Sequence, residues 1–344
     1  MHKRFVNHCT IELNLIPDGP ILIKSGKEGA DPTKPDMEFV ETYHQGGRTV
    51  YLPGSSLKGA IRAHAERIVR TVGKDKNPSD PDVLWAGNPL DDKHREDNPN
   101  LYLEDWKSKQ KKKDLKDRHP YPGAELYKLS CFVSQLFGST SVASRLRIED
   151  AYPVDPKQLK LEERNGVAID RVFGSVAVGP FNYQVCTGGA FRTKIHLKNF
   201  TLAQLGLIGL VLRDLNDGWF GIGFAKSRGL GTVQVELSSA VVQYPGCELR
   251  DGKISVIGSQ QQWTHNHWLL GVREFLSDKD SDSYGFTNQG LPKEDRKEIS
   301  VEAKPMTYNF GLQMRWANDE VADVTELFTK AVESWSSRLP RRVA

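Results

Sequence analysis

The chain has few cysteines, and they lack the spacing that would give them a shared role. Its 344 residues contain four cysteines with no C-x-x-C pair, namely Cys9, Cys131, Cys186 and Cys247. A structural zinc site and a disulfide framework therefore have no support, and buried free thiols are predicted.

Long apolar runs and a strong net charge are also missing. No run of 18 apolar residues occurs, so neither a membrane span nor a membrane partner is expected. The first residues lack the apolar core of a signal peptide, which favours a cytoplasmic protein. Since the formal net charge is only +3, binding of nucleic acid would have to come from local clusters of cations.

What is present begins with a Pro-Gly turn that opens a helix at residues 53–62. Ser55 or Ser56 is predicted to cap the first turn. Lys58 and Arg62 follow one turn apart at the positive end of the helix dipole, where cations are disfavoured. Together with the free backbone N–H groups they predict an anion site, and the alternative is a solvated basic face.

Patterning along the chain predicts an α+β fold. The predicted elements come in this order: an alternating strand at residues 5–15, the helix from 55, a strand at 145–152, a long hairpin within 161–187, a strand at 191–200, a helix opened by a Thr201–Gln204 capping box, and a strand at 232–237. This is the βαββαβ order of a ferredoxin-like or RNA-recognition fold.

The remaining segments are less regular. Residues 37–40 and 49–52 are predicted to pair across a turn at 45–47, behind a loop at 25–35. Residues 74–125 are interpreted as an insertion that is largely loop, with a short helix near 103–106. Its lysine run at 107–113 is either solvated or a phosphate contact. Residues 246–344 are expected to form an accessory layer or a small second domain, with a strand at 306–316 and a helix at 321–335.

A glycine-rich run at residues 221–231 follows a helix and precedes a strand, unlike a dinucleotide or P-loop fingerprint. Its spacing, with two cations inside, would let the backbone approach a phosphodiester chain; a plain tight turn is the alternative. The residues assigned to this contact are Gly221, Gly223, Lys226, Arg228, Gly229 and Gly231.

Three motifs in this order resemble the RAMP superfamily of CRISPR systems, and most of all the backbone subunits of type III effector complexes. They are Pro-Gly-Ser-Ser-Leu-Lys-Gly-Ala-Ile-Arg at 53–62, Gln-Leu-Phe-Gly-Ser with Arg-Leu-Arg-Ile-Glu-Asp-Ala at 135–151, and Gly-Ile-Gly-x5-Gly-Leu-Gly at 221–231. The resemblance covers residues 5–240, outside the insertion at 74–125.

The resemblance implies a modified RNA-recognition palm at residues 1–73 and 126–245, with a thumb hairpin at about 164–187. Guide RNA would be held by its backbone at Ser55, Ser56, Lys58, Arg62 and the glycine-rich run, while base pairing reads the target. Val172, Phe173, Val176 and Val178 would supply an apolar wedge into the guide–target duplex, or would form the hairpin's own core.

The same resemblance implies target cleavage beside an aspartate in the loop before residue 53. Asp36 matches by position, and Asp31 is the alternative. A loop carboxylate there could hold a divalent metal ion, magnesium being expected, or orient the 2′-hydroxyl for in-line attack that leaves a 2′,3′-cyclic phosphate.

The leading functional hypothesis is a type III backbone subunit that binds guide RNA and cuts target RNA, with other effector subunits as partners. A purely structural guide-binding subunit and a guide-processing endoribonuclease remain alternatives.

Overall fold

A computed structural model describes residues 4–26, 35–74, 83–87, 99–112, 121–286, 294–317 and 323–339. The helices are α1 (Gly54–Val72), α2 (Pro99–Lys111), α3 (Gly123–Leu129), α4 (Phe132–Phe137), α5 (Leu202–Asn216), α6 (Asp278–Ser283) and α7 (Val324–Ser336). The strands are β1 (His8–Pro17), β2 (Glu41–His44), β3 (Gly47–Val50), β4 (Leu146–Ile148), β5 (Tyr152–Pro153), β6 (Lys160–Ile169), β7 (Val176–Gly188), β8 (Phe191–Lys198), β9 (Val233–Tyr244), β10 (Cys247–Arg250), β11 (Lys253–Val256), β12 (Trp268–Leu270), β13 (Arg296–Glu298), β14 (Lys304–Pro305) and β15 (Leu312–Ala317).

The central sheet is antiparallel and has the order β14-β15-β9-β1-β8-β4, with β5 also on β8. Taken as β1-α1-β4-β8-α5-β9, the core has the βαββαβ sequence and the 4-1-3-2 strand order of a ferredoxin-like fold. The fold is therefore α+β with a ferredoxin-like palm, and β6 and β7 form a separate hairpin inserted between β5 and β8.

The core follows from the alternation in β1. Cys9, Ile11, Leu13 and Leu15 all point to one face of the strand and are almost fully buried, in the period of two that strands impose. They belong to one apolar cluster with the buried stripes of α1 and α5. All four cysteines of the chain are buried free thiols, which confirms that prediction.

The part of the chain after residue 246 continues this sheet and adds a helix to it. β15 pairs with β9, and α7 packs against α5. The approach is close because α5 carries glycine there: a Cβ on Gly206 would lie 2.4 Å from the Ala331 carbonyl oxygen.

The structure corrects four predicted details. Neither serine caps α1: the helix starts at Gly54, and the N-cap residue is Pro53, which makes no side-chain cap hydrogen bond. The early hairpin pairs Glu41–His44 with Gly47–Val50, so its first strand lies later in the chain than the predicted 37–40.

The other two corrections concern the insertion and the C-terminal strand. The insertion contains a helix of 13 residues, α2, because lysine, glutamate and glutamine favour helices and lysines suit its C-terminal end. The expected strand at 306–316 begins only at Leu312, since Tyr308 and Asn309 have positive φ.

No helix in the described ranges combines the length and apolarity that crossing a bilayer requires.

Candidate RNA-binding surface

The N-terminus of α1 is fixed by a distant carboxylate. The Gly54 N–H donates to Asp150 Oδ1 at 2.7 Å, so an acid, rather than either serine, meets the positive end of the helix. Ser55 is exposed and Ser56 is half-buried in the first turn. A Cβ on Gly54 would lie 2.3 Å from the Ile148 carbonyl oxygen, so only glycine allows the helix to start this close to β4.

The two cations of α1 point towards α4 and the turn after it. Lys58 Nζ donates to Ser144 Oγ at 2.8 Å, and burial, followed by the charge of Arg62, lowers the Lys58 pKa. Arg62 donates to Glu66 Oε1 at 3.0 Å and to the Gly138 carbonyl oxygen at 2.9 Å. Arg62 therefore holds parts of the fold together, while Lys58 remains half-buried beside a hydroxyl.

The glycine-rich run is folded back on itself and packed on the segment after β1. The Ile222 N–H donates to the Gly231 carbonyl at 2.9 Å, and the Phe224 N–H donates to the Leu22 carbonyl at 2.7 Å. The run then forms one exposed 3₁₀ turn directly before Gly229, made of Lys226, Ser227 and Arg228. The two cations of the run are thus presented to solvent on a firmly anchored loop.

The predicted thumb corresponds to the hairpin of β6 and β7, and its apolar residues are exposed. The exposed fractions are 83% for Val172, 84% for Phe173, 59% for Val176 and 66% for Val178. These side chains therefore do not form a hairpin core within this chain. Monomeric proteins seldom expose clustered large apolar side chains without a contact to make.

The tip of the thumb has its own scaffold. Asp170 Oδ1 accepts the N–H groups of Val172 at 2.7 Å and Phe173 at 2.8 Å. These two backbone hydrogen bonds, that of Phe173 first, lower the pKa of the Asp170 carboxyl. The ionised carboxylate therefore holds the two most exposed apolar residues of the thumb in one turn.

Asp36 lies beside the middle of the thumb. Its neighbour Met37 donates to the Asn182 carbonyl at 3.2 Å and accepts from the Gln184 N–H at 3.0 Å, so this segment lies along β7. Asp36 itself is exposed, and its Oδ2 accepts the Asn182 N–H at 2.9 Å. The alternative aspartate, Asp31, lies outside the described residues.

Two of the predicted features meet at one point of β7. The Arg228 guanidinium carbon lies 5.5 Å from the ring centre of Phe181, within the range of a cation–π contact. Asp36 bonds the next residue, Asn182. The middle of the thumb, the exposed turn of the glycine-rich run and the loop aspartate are thus neighbours, whereas Lys58 and Arg62 contact the α4 side of the palm.

The sequence profile described as "RAMPs: RAMP superfamily" matches residues 17–234, which is more than half of the chain. The chain belongs to the RAMP superfamily. No curated protein matches it.

One solved structure similar to this RAMP-superfamily chain is that of a "Type IV-B CRISPR Complex". The two chains are 16% identical, with a TM-score of 0.40, and the match covers 67% of this chain and 90% of the other.

The metal-binding capacity of this RAMP-superfamily chain is modest in the ranges that the structure covers. No group of three or more His, Cys, Asp or Glu side chains there could enclose a metal ion. Magnesium, however, commonly uses one or two carboxylates together with substrate phosphates and water. A single exposed carboxylate such as Asp36 fits that donor set when RNA supplies the remaining oxygens.

Sequence reasoning missed three residues that organise the surface. Asp150 caps α1, Asn182 binds Asp36, and Phe181 lies under Arg228. The importance of Asp150 could have been predicted from the sequence, because the residue lies within one of the three family motifs. Asn182 and Phe181 carried none, since their roles arise from chain segments far apart in sequence.

Proposed function

We propose that this chain is a backbone subunit of a type III CRISPR effector complex that binds guide RNA and cleaves complementary target RNA. The observation that carries the proposal is the meeting of Asp36, the thumb and the Arg228 turn at residues 181–182 of β7. Guide RNA, target RNA and other subunits of the complex are the partners, and no membrane partner is proposed.

Guide binding in this proposal relies on phosphate contacts. Lys226 and Arg228 are exposed on one short turn, and Lys58 adds a half-buried cation at the start of α1. Such contacts are independent of sequence, which suits a subunit whose target is chosen by base pairing.

The thumb would separate neighbouring stretches of guide–target duplex. Val172 and Phe173, held in one turn by Asp170, present apolar surface of the kind that wedges between bases. A wedge unstacks the target strand locally and frees one phosphodiester to adopt an in-line geometry.

Asp36 lies beside β7, one of the two strands that carry that wedge, and would act on the freed phosphodiester. Its carboxylate could accept the proton of the target's 2′-hydroxyl, whose oxygen then attacks phosphorus and expels the 5′-oxygen. The 5′-oxygen takes a proton from water and leaves as a hydroxyl, and the other product is a 2′,3′-cyclic phosphate. A magnesium ion bound there with the phosphates would stabilise the developing charge.

One observation favours the structural alternative, a guide-binding subunit without catalysis. Asp36 Oδ2 already accepts the Asn182 N–H, so the carboxylate also fastens its loop to the thumb. Mutation to alanine would remove charge and anchor together, and a sharper variant is needed.

Asp36→Asn supplies that variant, because an amide oxygen can still accept the Asn182 N–H while the charge is lost. We expect the assembled complex carrying Asp36→Asn to bind target within about 2-fold of the parent and to lose at least about 100-fold in the cut assigned to this subunit. Cleavage products are mapped on labelled target RNA, with magnesium and with a chelator.

Asp31→Asn is made in parallel, and Asp251→Asn, an exposed turn aspartate of the β10–β11 hairpin, is the matched control. A 2′-deoxy nucleotide at the site should block the parental cut. Parental cutting by both Asp36→Asn and Asp31→Asn would overturn the catalytic claim: this subunit would then be structural, or its chemistry would lie at other residues.

A further inference from the structure

Trp219 is an exposed aromatic residue directly before the glycine-rich run. Its side chain is 68% exposed, although tryptophan is usually largely buried. The Arg213 guanidinium carbon lies 5.8 Å from the centre of the indole, so one neighbour of the ring is a cation from the end of α5.

A buried carboxylate holds this pair in place. Asp214 is 1% exposed, and its Oδ1 accepts Arg213 Nε at 2.9 Å and Nη2 at 2.7 Å. The backbone carbonyl of the same residue accepts the Trp219 N–H at 2.9 Å. Arg213 and the backbone of Trp219 are thus oriented by one residue.

The anchor extends to α1. Asp214 Oδ2 lies 2.7 Å from Nε2 of the buried His64, and the imidazole stacks on Phe220 with 4.2 Å between ring centres. Phe220 therefore points inward while the preceding Trp219 points outward. An indole on so well-anchored a backbone loses little conformational entropy when it binds a ligand.

The surroundings indicate which ligand suits the indole. The loop that begins at Trp219 continues to the exposed Lys226 and Arg228, and Phe224 on the same loop is 41% exposed. This loop therefore carries both exposed aromatic rings and exposed cations. Proteins hold single-stranded nucleic acid with that combination, because cations contact phosphates and rings stack on bases.

We propose that Trp219 is a stacking platform for one unpaired base of the RNA. This inference rests on the proposed function for the presence of RNA, and it adds a base contact to a loop whose other proposed contacts are to phosphates. Arg213 and Asp214 act as positioning residues beneath the platform.

The test measures binding of a short single-stranded RNA to the full chain by fluorescence anisotropy. Trp219→Ala should weaken binding about 5- to 100-fold, in line with base–aromatic stacking, whereas Trp219→Tyr should stay within about 3-fold of the parent. The salt dependence of binding should be unchanged in Trp219→Ala, because no cation is removed.

A matched control is Tyr308→Ala, which removes an aromatic ring that is 95% exposed in the loop between β14 and β15. It should leave RNA affinity at the parental value. An abasic nucleotide is then moved along the RNA: it should weaken the parent at one position and have no added effect on Trp219→Ala there.

The outcomes separate this inference from the proposed function. If the parent binds no RNA, the proposed function itself fails. If the parent binds RNA and Trp219→Ala binds equally well, the stacking platform is wrong while the proposed function stands. Unchanged RNA affinity with loss of a copurifying subunit would assign Trp219 to a protein interface instead, which also overturns the inference.

Discussion

The glycines in the run at 221–231 differ in why a larger residue is unfavourable there. Gly223 and Gly231 have φ of +79° and +96°, and a Cβ on either would lie within 2.3 Å of a backbone carbonyl oxygen. Gly229 also has a positive φ, +81°, but nothing lies within 4 Å of its Cβ position. The first two are required by the packing of the loop itself, whereas only Gly229 leaves open space for a ligand.

This difference predicts unequal costs of mutation. Gly231→Ala should lower the free energy of unfolding by more than about 3 kcal/mol, because strained φ and a backbone clash add. Gly229→Ala should lower it by about 1 kcal/mol, since only the left-handed conformation is penalised. Urea unfolding of both variants measures this, and equal losses would contradict the packing argument.

At the scale of elements, two sets of hydrogen bonds hold the N-terminus of α5. The Thr201–Gln204 capping box forms as predicted. In addition, the fully buried Asp295 accepts the Leu202 N–H at 2.9 Å and the Arg273 N–H at 3.3 Å. Burial raises the pKa of Asp295 to about 6, although these hydrogen bonds and the charge of Arg273 act to lower it.

The raised Asp295 pKa predicts how stability depends on pH. An unfolded aspartate titrates near about 3.9, so between about pH 4 and 6 the folded state binds more protons than the unfolded state. The contribution of Asp295 to the free energy of unfolding is therefore fully present below about pH 4 and is lost as the pH rises through 6.

The amide introduced by Asp295→Asn cannot titrate. The free energy of unfolding of this variant should therefore fall over this pH window by less than the parent's, the difference being on the order of 2 kcal/mol. Denaturant unfolding at several pH values measures the difference, with Asp251→Asn as the exposed control. Parallel pH profiles for Asp295→Asn and the parent would show that Asp295 does not titrate there.

The thumb is the second element with a clear prediction. Because the side chains of Val172, Phe173, Val176 and Val178 are mostly exposed, replacing residues 172–178 by a short turn should shift the melting temperature by less than about 3 °C. The same change should reduce the adjacent target cut at least about 10-fold, since the wedge is gone. Thermal melts and product mapping test the two parts; undiminished cutting at that position would rule out the thumb as a wedge.

At the scale of the whole molecule, the net charge of +3 conceals where the cations lie. Lys226 and Arg228 share one exposed turn beside the thumb, and Lys58 lies on the α4 side of the palm. An RNA backbone bound to both regions would have to cross from one to the other.

Lys58→Ala/Arg228→Ala should therefore weaken RNA binding alike for every sequence and reduce the slope of log affinity against log salt by about 1.4. Arg250→Ala/Lys253→Ala in the β10–β11 hairpin removes the same charge elsewhere and should leave the slope unchanged. Filter binding from low to moderate salt measures both. If the two double variants behaved identically, only net charge would matter and the proposed phosphate contacts would be wrong.

The amino-acid sequence determined the elements whose signals are local. The alternation of β1, the thumb hairpin and the capping box of α5 depend on neighbouring residues, and each forms as predicted. The order of those elements was enough to predict the ferredoxin-like palm.

Tertiary structure alone decided which side chains meet. Asp150 caps α1 from 96 residues away, and Asp36 binds an N–H 146 residues away. The same packing gives Arg62 hydrogen bonds to Glu66 and to the Gly138 carbonyl, and its position on α1 alone did not predict these partners. These partners depend on how strands and helices pack, because a buried or half-buried polar group bonds whichever donor or acceptor the fold brings within about 3 Å, and no local pattern in the sequence records that distance.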